Sequence, residues 1–140
     1  MIIHDTNNWP FRWFGFWGEF GNRQENLPSI KVFIDPIKNE SYDKIKLLDY
    51  LSNGQGILAT SRAAFSNIFE NETKTGTVAW RTDGTRFWFD SICDYIQNFS
   101  LVIPEKWYKE IESIDFKLPK YIDIDSAVLD FQNNVMPTIN

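Results

Sequence analysis

Histidine and cysteine are almost missing from this chain: 140 residues hold one of each, His4 and Cys93. A single cysteine excludes an internal disulfide framework, and a chain that folds without one belongs naturally in a reducing compartment. One imidazole and one thiol cannot assemble the four-ligand sets that hold structural zinc, so no metal and no cofactor is expected. Basic residues are in deficit, with 14 Lys and Arg against 19 Asp and Glu, a formal net charge of −5 and a pI near 4.8. Phosphate neutralisation needs clustered Lys and Arg, so nucleic acid is not an expected partner, and a basic protein is the better match. No apolar run is long enough to span a bilayer. The opening MIIHDTNNWPFRWF lacks the basic head and apolar stretch of a signal peptide, so no membrane partner and a cytoplasmic location are expected. No P-loop, dinucleotide fingerprint or HExxH helix occurs.

Aromatic residues, in contrast, are plentiful. Six Trp and twelve Phe bring the aromatic share to 16%, far above that of chains too polar to bury a core, so the chain folds. Its length suits one domain, residues 1–140. The densest aromatic segment is WPFRWFGFWGEFG at 9–21. There Gly15, Gly18 and Gly21 discourage a regular helix, and an extended or irregular segment with most of its rings buried is expected. Segment 77–99, TVAWRTDGTRFWFDSICDYIQNF, organises the rest. Asp83-Gly84 suits a two-residue type I′ turn, which pairs Arg81 with Arg86 and Trp80 with Phe87. Alternation then places Val78, Trp80, Phe87 and Phe89 on a core face, and Ala79, Arg81, Arg86 and Trp88 on the other. Asp90 is the expected N-cap of a following helix carrying Ile92, Ile96 and Phe99.

Elsewhere, 22–28 reads as a loop and SIKVFI at 29–34 as a strand stopped by Asp35-Pro36. A helix over 42–53, capped by Ser41, carries Ile45, Leu47, Leu48 and Leu51 and ends at Gly54. GILAT at 56–60 is a strand, and 61–76 a polar loop with at most a helical turn. After an extended 101–103, Pro104 opens a helix over 105–114 with Trp107 and Ile111 inward. Residues 117–124 read as extended, 126–133 as a helix capped by Ser126, and the tail from 134 as frayed. The expected class is α+β: a small antiparallel or mixed sheet containing the central hairpin, with three to four helices packed on it.

Few positioned titratable groups suggest catalysis. His4 reads as a surface residue. Cys93 lies beside an apolar helical stripe and reads as a small hydrophobe rather than a nucleophile. Asp123 and Asp125, two apart in an extended piece, would share one face. That pattern serves half of a hard-cation site or a carboxylate pair, and equally a charged strand edge that discourages aggregation. Between 105 and 130 seven acids face four lysines, and Glu110, Glu112, Asp115, Asp123 and Asp125 form a candidate docking surface for a basic partner. Arg81 and Arg86, opposite each other, are either satisfied by an internal acid or water, or form part of a partner site. These seven residues are the candidate partner-binding set.

The stretches WPFRWFGFWGEFG at 9–21, SIKVFIDP at 29–36, KLLDYLSNGQGILATSR at 46–62 and TDGTRFWFDSICDYIQNFSLVIPEKWYKEI at 82–111 resemble a group of small bacterial proteins. In that group a TDG turn, a Trp-rich strand, a Tyr-containing helix and an LP step into a helix recur. The corresponding residues are Thr82-Asp83-Gly84, Phe87-Trp88-Phe89, Tyr95 and Ile103-Pro104. Proteins of this appearance occur among the immunity proteins of bacterial toxin systems, contact-dependent growth inhibition included. The resemblance implies a non-enzymatic, one-to-one inhibitor of a cognate toxin domain. Two departures are present: Phe89-Asp90 where Trp-Pro often follows the hairpin, and no cysteine pair in 61–76. The motif residues are structural, so the resemblance transfers no binding residue. A regulatory interaction domain without a toxin partner, or an enzyme using a carboxylate such as Asp123 or Asp125, are the alternatives, and oligomeric state is open.

Overall fold

A computed structural model describes residues 5–20, 27–60, 64–67, 72–75 and 78–139. Residues 1–4, His4 among them, lie outside them, as do 21–26 (most of the loop expected at 22–28), 61–63, 68–71, 76–77 and 140. The fold is α+β. Among the described residues, β1 (Trp13–Phe14), β2 (Gln55–Thr60), β5 (Val78–Thr82) and β6 (Phe87–Phe89) form a mixed sheet in the order β1-β6-β5-β2, with β1 parallel to β6. Within the expected loop at 61–76, the described parts are strands β3 (Ala64–Asn67) and β4 (Glu72–Thr75), an antiparallel pair of their own.

The central hairpin forms, but not with the expected register. The backbone pairs are Thr82↔Phe87, Arg81↔Trp88 and Trp80↔Phe89, so the connection is four residues long. The cause is the side chain of Asp83, whose Oδ1 accepts from the amides of Thr85 (2.9 Å) and Arg86 (2.8 Å). An aspartate bonding to its own following backbone makes a turn that competes with the tight I′ loop. Arg86 therefore sits in the turn, not opposite Arg81. Because the slip is two residues, Trp80, Phe87 and Phe89 stay on one face and Arg81 and Trp88 on the other, as expected.

Both faces are core, which corrects the one-sided expectation. On one, Phe131 packs against Trp80 (5.0 Å between ring centroids) and Phe87 (5.2 Å). On the other, Trp88 is fully buried beneath Tyr50 and donates its indole N–H to the carbonyl of Leu51 at 3.1 Å. Phe14, beside it in β1, meets Phe33 and Trp107. The aromatic segment is buried as expected at Trp9, Trp13, Phe14 and Trp17, with Phe11 and Phe16 half-buried. Gly15 has φ +105°, and a Cβ there would lie 2.6 Å from Ile92, so a bare backbone is required as the chain passes under the helix.

The helices depart from expectation mainly at their ends. Residues 29–34 are no strand: Ile30–Phe33 is a 3₁₀ turn, capped by Ser29, with Ile30 and Phe33 both buried at its three-residue repeat. Glu19 fixes its start by accepting from the Ser29 hydroxyl and, at 3.1 Å, from the Ile30 amide. Asp35 then caps α1 (Pro36–Ser41), with Pro36 in its first turn. Asp43, not Ser41, caps α2 (Lys44–Ser52), which buries Leu47, Tyr50 and Leu51 but leaves Ile45 85% exposed. Asp90 does not cap α3 (Ile92–Phe99) with its side chain; the carboxylate accepts from the Ala79 amide across the hairpin. Pro104 precedes α4 (Glu105–Ser113), whose Trp107 and Ile111 are buried as expected. Asp115 and Phe116, both at left-handed φ, reverse the chain after it. Asp123 caps α5 (Ile124–Asp130), a π turn follows over Phe131–Val135, and α6 (Met136–Ile139) completes the chain described. The expected fraying from 134 is absent because Phe131, Val135 and Ile139 recur every four residues and are buried.

Candidate functional site

The two arginines are spent inside the molecule. Arg81 donates to the carbonyl of Gly54 (2.9 Å) and lies 3.7 Å from the Asp90 carboxylate. Burial raises the pKa of that carboxyl, opposed by the Ala79 amide and the Arg81 charge. Arg86 bridges Asp83 (2.7 Å) and Glu110 (3.0 Å). Burial alone would lower the pKa of its guanidinium, but the two carboxylates outweigh this and hold it above its ordinary value. Tyr50 donates its hydroxyl to the same Asp83 at 2.6 Å, so one buried carboxylate ties the turn to α2 and, through Arg86, to α4. Burial, then the bond to Asp83, raises the Tyr50 pKa. Cys93 is partly buried, and burial first, then the nearby Asp90 charge, pushes its thiol up to about 11. It is a poor nucleophile at neutral pH.

The acidic candidates separate into two kinds. Glu110 belongs to the Arg86 network, although its carboxylate is partly exposed. Glu112 and Asp115 are exposed at the end of α4, where Asp115 lies 4.0 Å from Lys117. Asp123 and Asp125 do not share the face of an extended edge. Asp123 ends the irregular segment and accepts the Ser126 amide at 3.1 Å, while Asp125 lies in the first turn of α5. Both are exposed, and no Lys or Arg among the described residues pairs with either. Among the described residues, no three His, Cys, Asp or Glu side chains come together as metal ligands would. No described helix is long and apolar enough to cross a membrane.

What the fold does bring together is the hairpin turn and the segment leading into α5. A cleft of about 450 Å³ separates Asp83, Gly84 and Thr85 from Pro119, Tyr121, Asp123, Ser126 and Asp130. Arg12 ties two of its lining residues together: it grips Asp130 with two bonds (3.2 and 2.7 Å) and donates to the Thr85 carbonyl. Those bonds hold the Asp130 carboxyl below its ordinary pKa. Tyr121, which is 80% exposed, and Asp123 also line the cleft. Tyr121, Asp130 and Arg12 are not evident as a group from sequence. Arg12 and Asp130 are 118 residues apart, and Tyr121 is an isolated aromatic in a polar stretch. The one legible signal is that residues 121–139 carry three acids and no Lys or Arg.

No family model, curated protein or solved structure matches the chain significantly.

Proposed function

We propose that the protein is a cytoplasmic immunity protein that neutralises a cognate toxin domain by one-to-one binding. The observation that carries this reading is how its charge is apportioned. The buried carboxylate Asp83 and the partly buried Asp90 are consumed by the fold, whereas Glu112, Asp123 and Asp125 are exposed with no Lys or Arg paired to them among the described residues. Uncompensated surface carboxylates on an acidic protein accelerate encounter with a basic partner and exclude acidic ones. The segments quoted above as resembling immunity proteins serve mainly as architecture: Trp88, Tyr95 and Trp107 are core, and Asp83 shapes the turn. In such a protein a rigid frame is shared and recognition is left to the surface, so inhibition by occlusion needs no catalytic set.

The test is an affinity titration against the polypeptide encoded by the adjacent upstream gene, at low and high salt, with co-expression as the functional readout. Nanomolar binding that weakens with salt, together with rescue of growth, is the expected result. No binding, or binding without protection from that polypeptide, would overturn the assignment.

A further inference from the structure

We infer that the outer face of α5 with Tyr121, together with the part of the adjoining cleft lined by Tyr121 and Asp123, is the docking surface for a basic partner protein, and that a partner arginine or lysine seats beside Asp123. The identity of the partner as a toxin domain rests on the function proposed above; the location of the surface does not. Tyr121 (80% exposed), Ile124 (47%) and Leu129 (58%) are three of the large apolar side chains that the fold leaves in solvent. Ile124 and Leu129 are carried by α5, on which Asp125 and Leu129 are four residues apart and so share one face. Tyrosine is a favoured interface anchor because it adds a large contact area with few rotatable bonds and a polar tip.

Charge selects the occupant. Of the three acids in 121–139, Asp130 is neutralised by Arg12, and Asp123 and Asp125 have no cation among the described residues. Beside the cleft a guanidinium is already held: Arg12 combines a two-bond grip on the Asp130 carboxylate, the Thr85 carbonyl and the ring of Phe87 at 5.5 Å. The cleft lining also holds a carboxylate and a ring, Asp123 and Tyr121, with no cation on them among the described residues. Another exposed apolar pair, Ile37 and Ile45, lies on α1 and α2, where Lys38, Lys44 and Lys46 stand among Glu40, Asp43 and Asp49, so the charge there is mixed. Residues 121–139 carry no Lys or Arg to repel a basic partner, which favours this surface over that one.

Two measurements test the surface. In the first, ¹⁵N-labelled protein is titrated with N-acetyl-arginine amide, with N-acetyl-glutamine amide as the uncharged control. Saturable shifts confined to the amides of 84–85 and 121–129, with apparent affinity reduced at least about fivefold by Tyr121→Ala, are expected of a single aromatic-and-carboxylate subsite. Shifts absent from those amides, or scattered over every exposed carboxylate, overturn it. In the second, the upstream-encoded polypeptide is titrated against wild type, a Tyr121→Ala/Leu129→Ala variant and an Ile37→Ser/Ile45→Ser control. The inference expects at least about tenfold weaker binding for the first variant, as for loss of an interface anchor, and none for the control. Wild-type binding left within twofold by Tyr121→Ala/Leu129→Ala refutes the surface but keeps the immunity assignment. Absent wild-type binding refutes the assignment, and the arginine titration then decides the surface alone.

Discussion

Replacing Asp83 by asparagine removes the charge from the centre of the turn network while keeping its shape. The Asp83 side chain is 2% exposed and that of Arg86 12%, so water screens neither. The carboxylate accepts from Tyr50 (2.6 Å), Arg86 Nη1 (2.7 Å) and two backbone amides. An asparagine oxygen can serve the amides, but its NH₂ then faces the Tyr50 hydroxyl and the guanidinium, of which the guanidinium can only donate. Breaking a buried ion pair costs about 3–5 kcal/mol when one charge is left stranded. Because Arg86 keeps Glu110, at the partly exposed end of the network, the expected loss for Asp83→Asn is about 2–3 kcal/mol. Tyr50→Phe, which deletes one bond to a charged acceptor, should cost about 1.5 kcal/mol. Urea unfolding followed by circular dichroism and fluorescence, with unchanged m, reads these differences. Arg86→Met combined with Asp83→Asn should be less destabilising than the sum by at least about 1 kcal/mol, the mark of a direct pair. An Asp83→Asn variant within about 0.5 kcal/mol of wild type, or strict additivity, would refute the account of the turn.

Three further outcomes follow from local geometry. Gly54→Ala would place a Cβ 2.4 Å from Cζ2 of Trp88, whose indole is pinned to the Leu51 carbonyl, so about 2–3 kcal/mol of overpacking cost is expected, measured as a lowered urea midpoint and relieved by Trp88→Leu in the same chain. Asn39 is 2% exposed and donates its amide to the carbonyls of Ile96 (3.1 Å) and Leu101 (2.8 Å). Asn39→Asp sets a carboxylate against those two oxygens, so thermal unfolding should show it well below Asn39→Ala at pH 7, with the gap closing as acid protonates it. The raised Cys93 pKa makes the folded state retain a proton that the unfolded chain releases near the ordinary thiol value of 9.0. Stability from this group is therefore complete below pH 9 and falls as pH rises toward about 11, by roughly 1–2 kcal/mol at pH 10.5. Tyr50 begins to contribute in the same direction above pH 10, so the measurement is the difference between wild type and Cys93→Ala. Equal pH slopes for the two would contradict it.

The parts of this fold written in local pattern were legible: the strand at Gln55–Thr60, the hairpin core of Trp80 and Phe87, and the inward Trp107 and Ile111. Errors arose where a side chain made its bond to distant or unexpected backbone. Asp83 lengthened the turn, and Asp90 served Ala79 instead of a helix end. Glu19, ten and eleven residues upstream, converted a β-branched run into a 3₁₀ turn. Asp35-Pro36 did carry a legible helix start, an N-cap with proline in the first turn, which competes with its reading as a strand stop. The acidity of the surface was visible in composition. The cleft was not, because its Arg12–Asp130 clasp joins opposite ends of the described chain, a pairing that no local window contains.

That same joining has a consequence for the ribosome. Trp13, already paired through β1 with the far-off β6, also donates its indole N–H to Thr138, 125 residues later. Contacts at such separation reward the chain only after nearly all of the loop between them has been synthesised and closed. The Trp-rich segment thus emerges early, finds its sheet partner only once β6 is made, and leaves the Trp13 indole waiting for Thr138. A nascent chain halted before α6 could already pair its sheet but would still present that indole uncapped, a handle for chaperones.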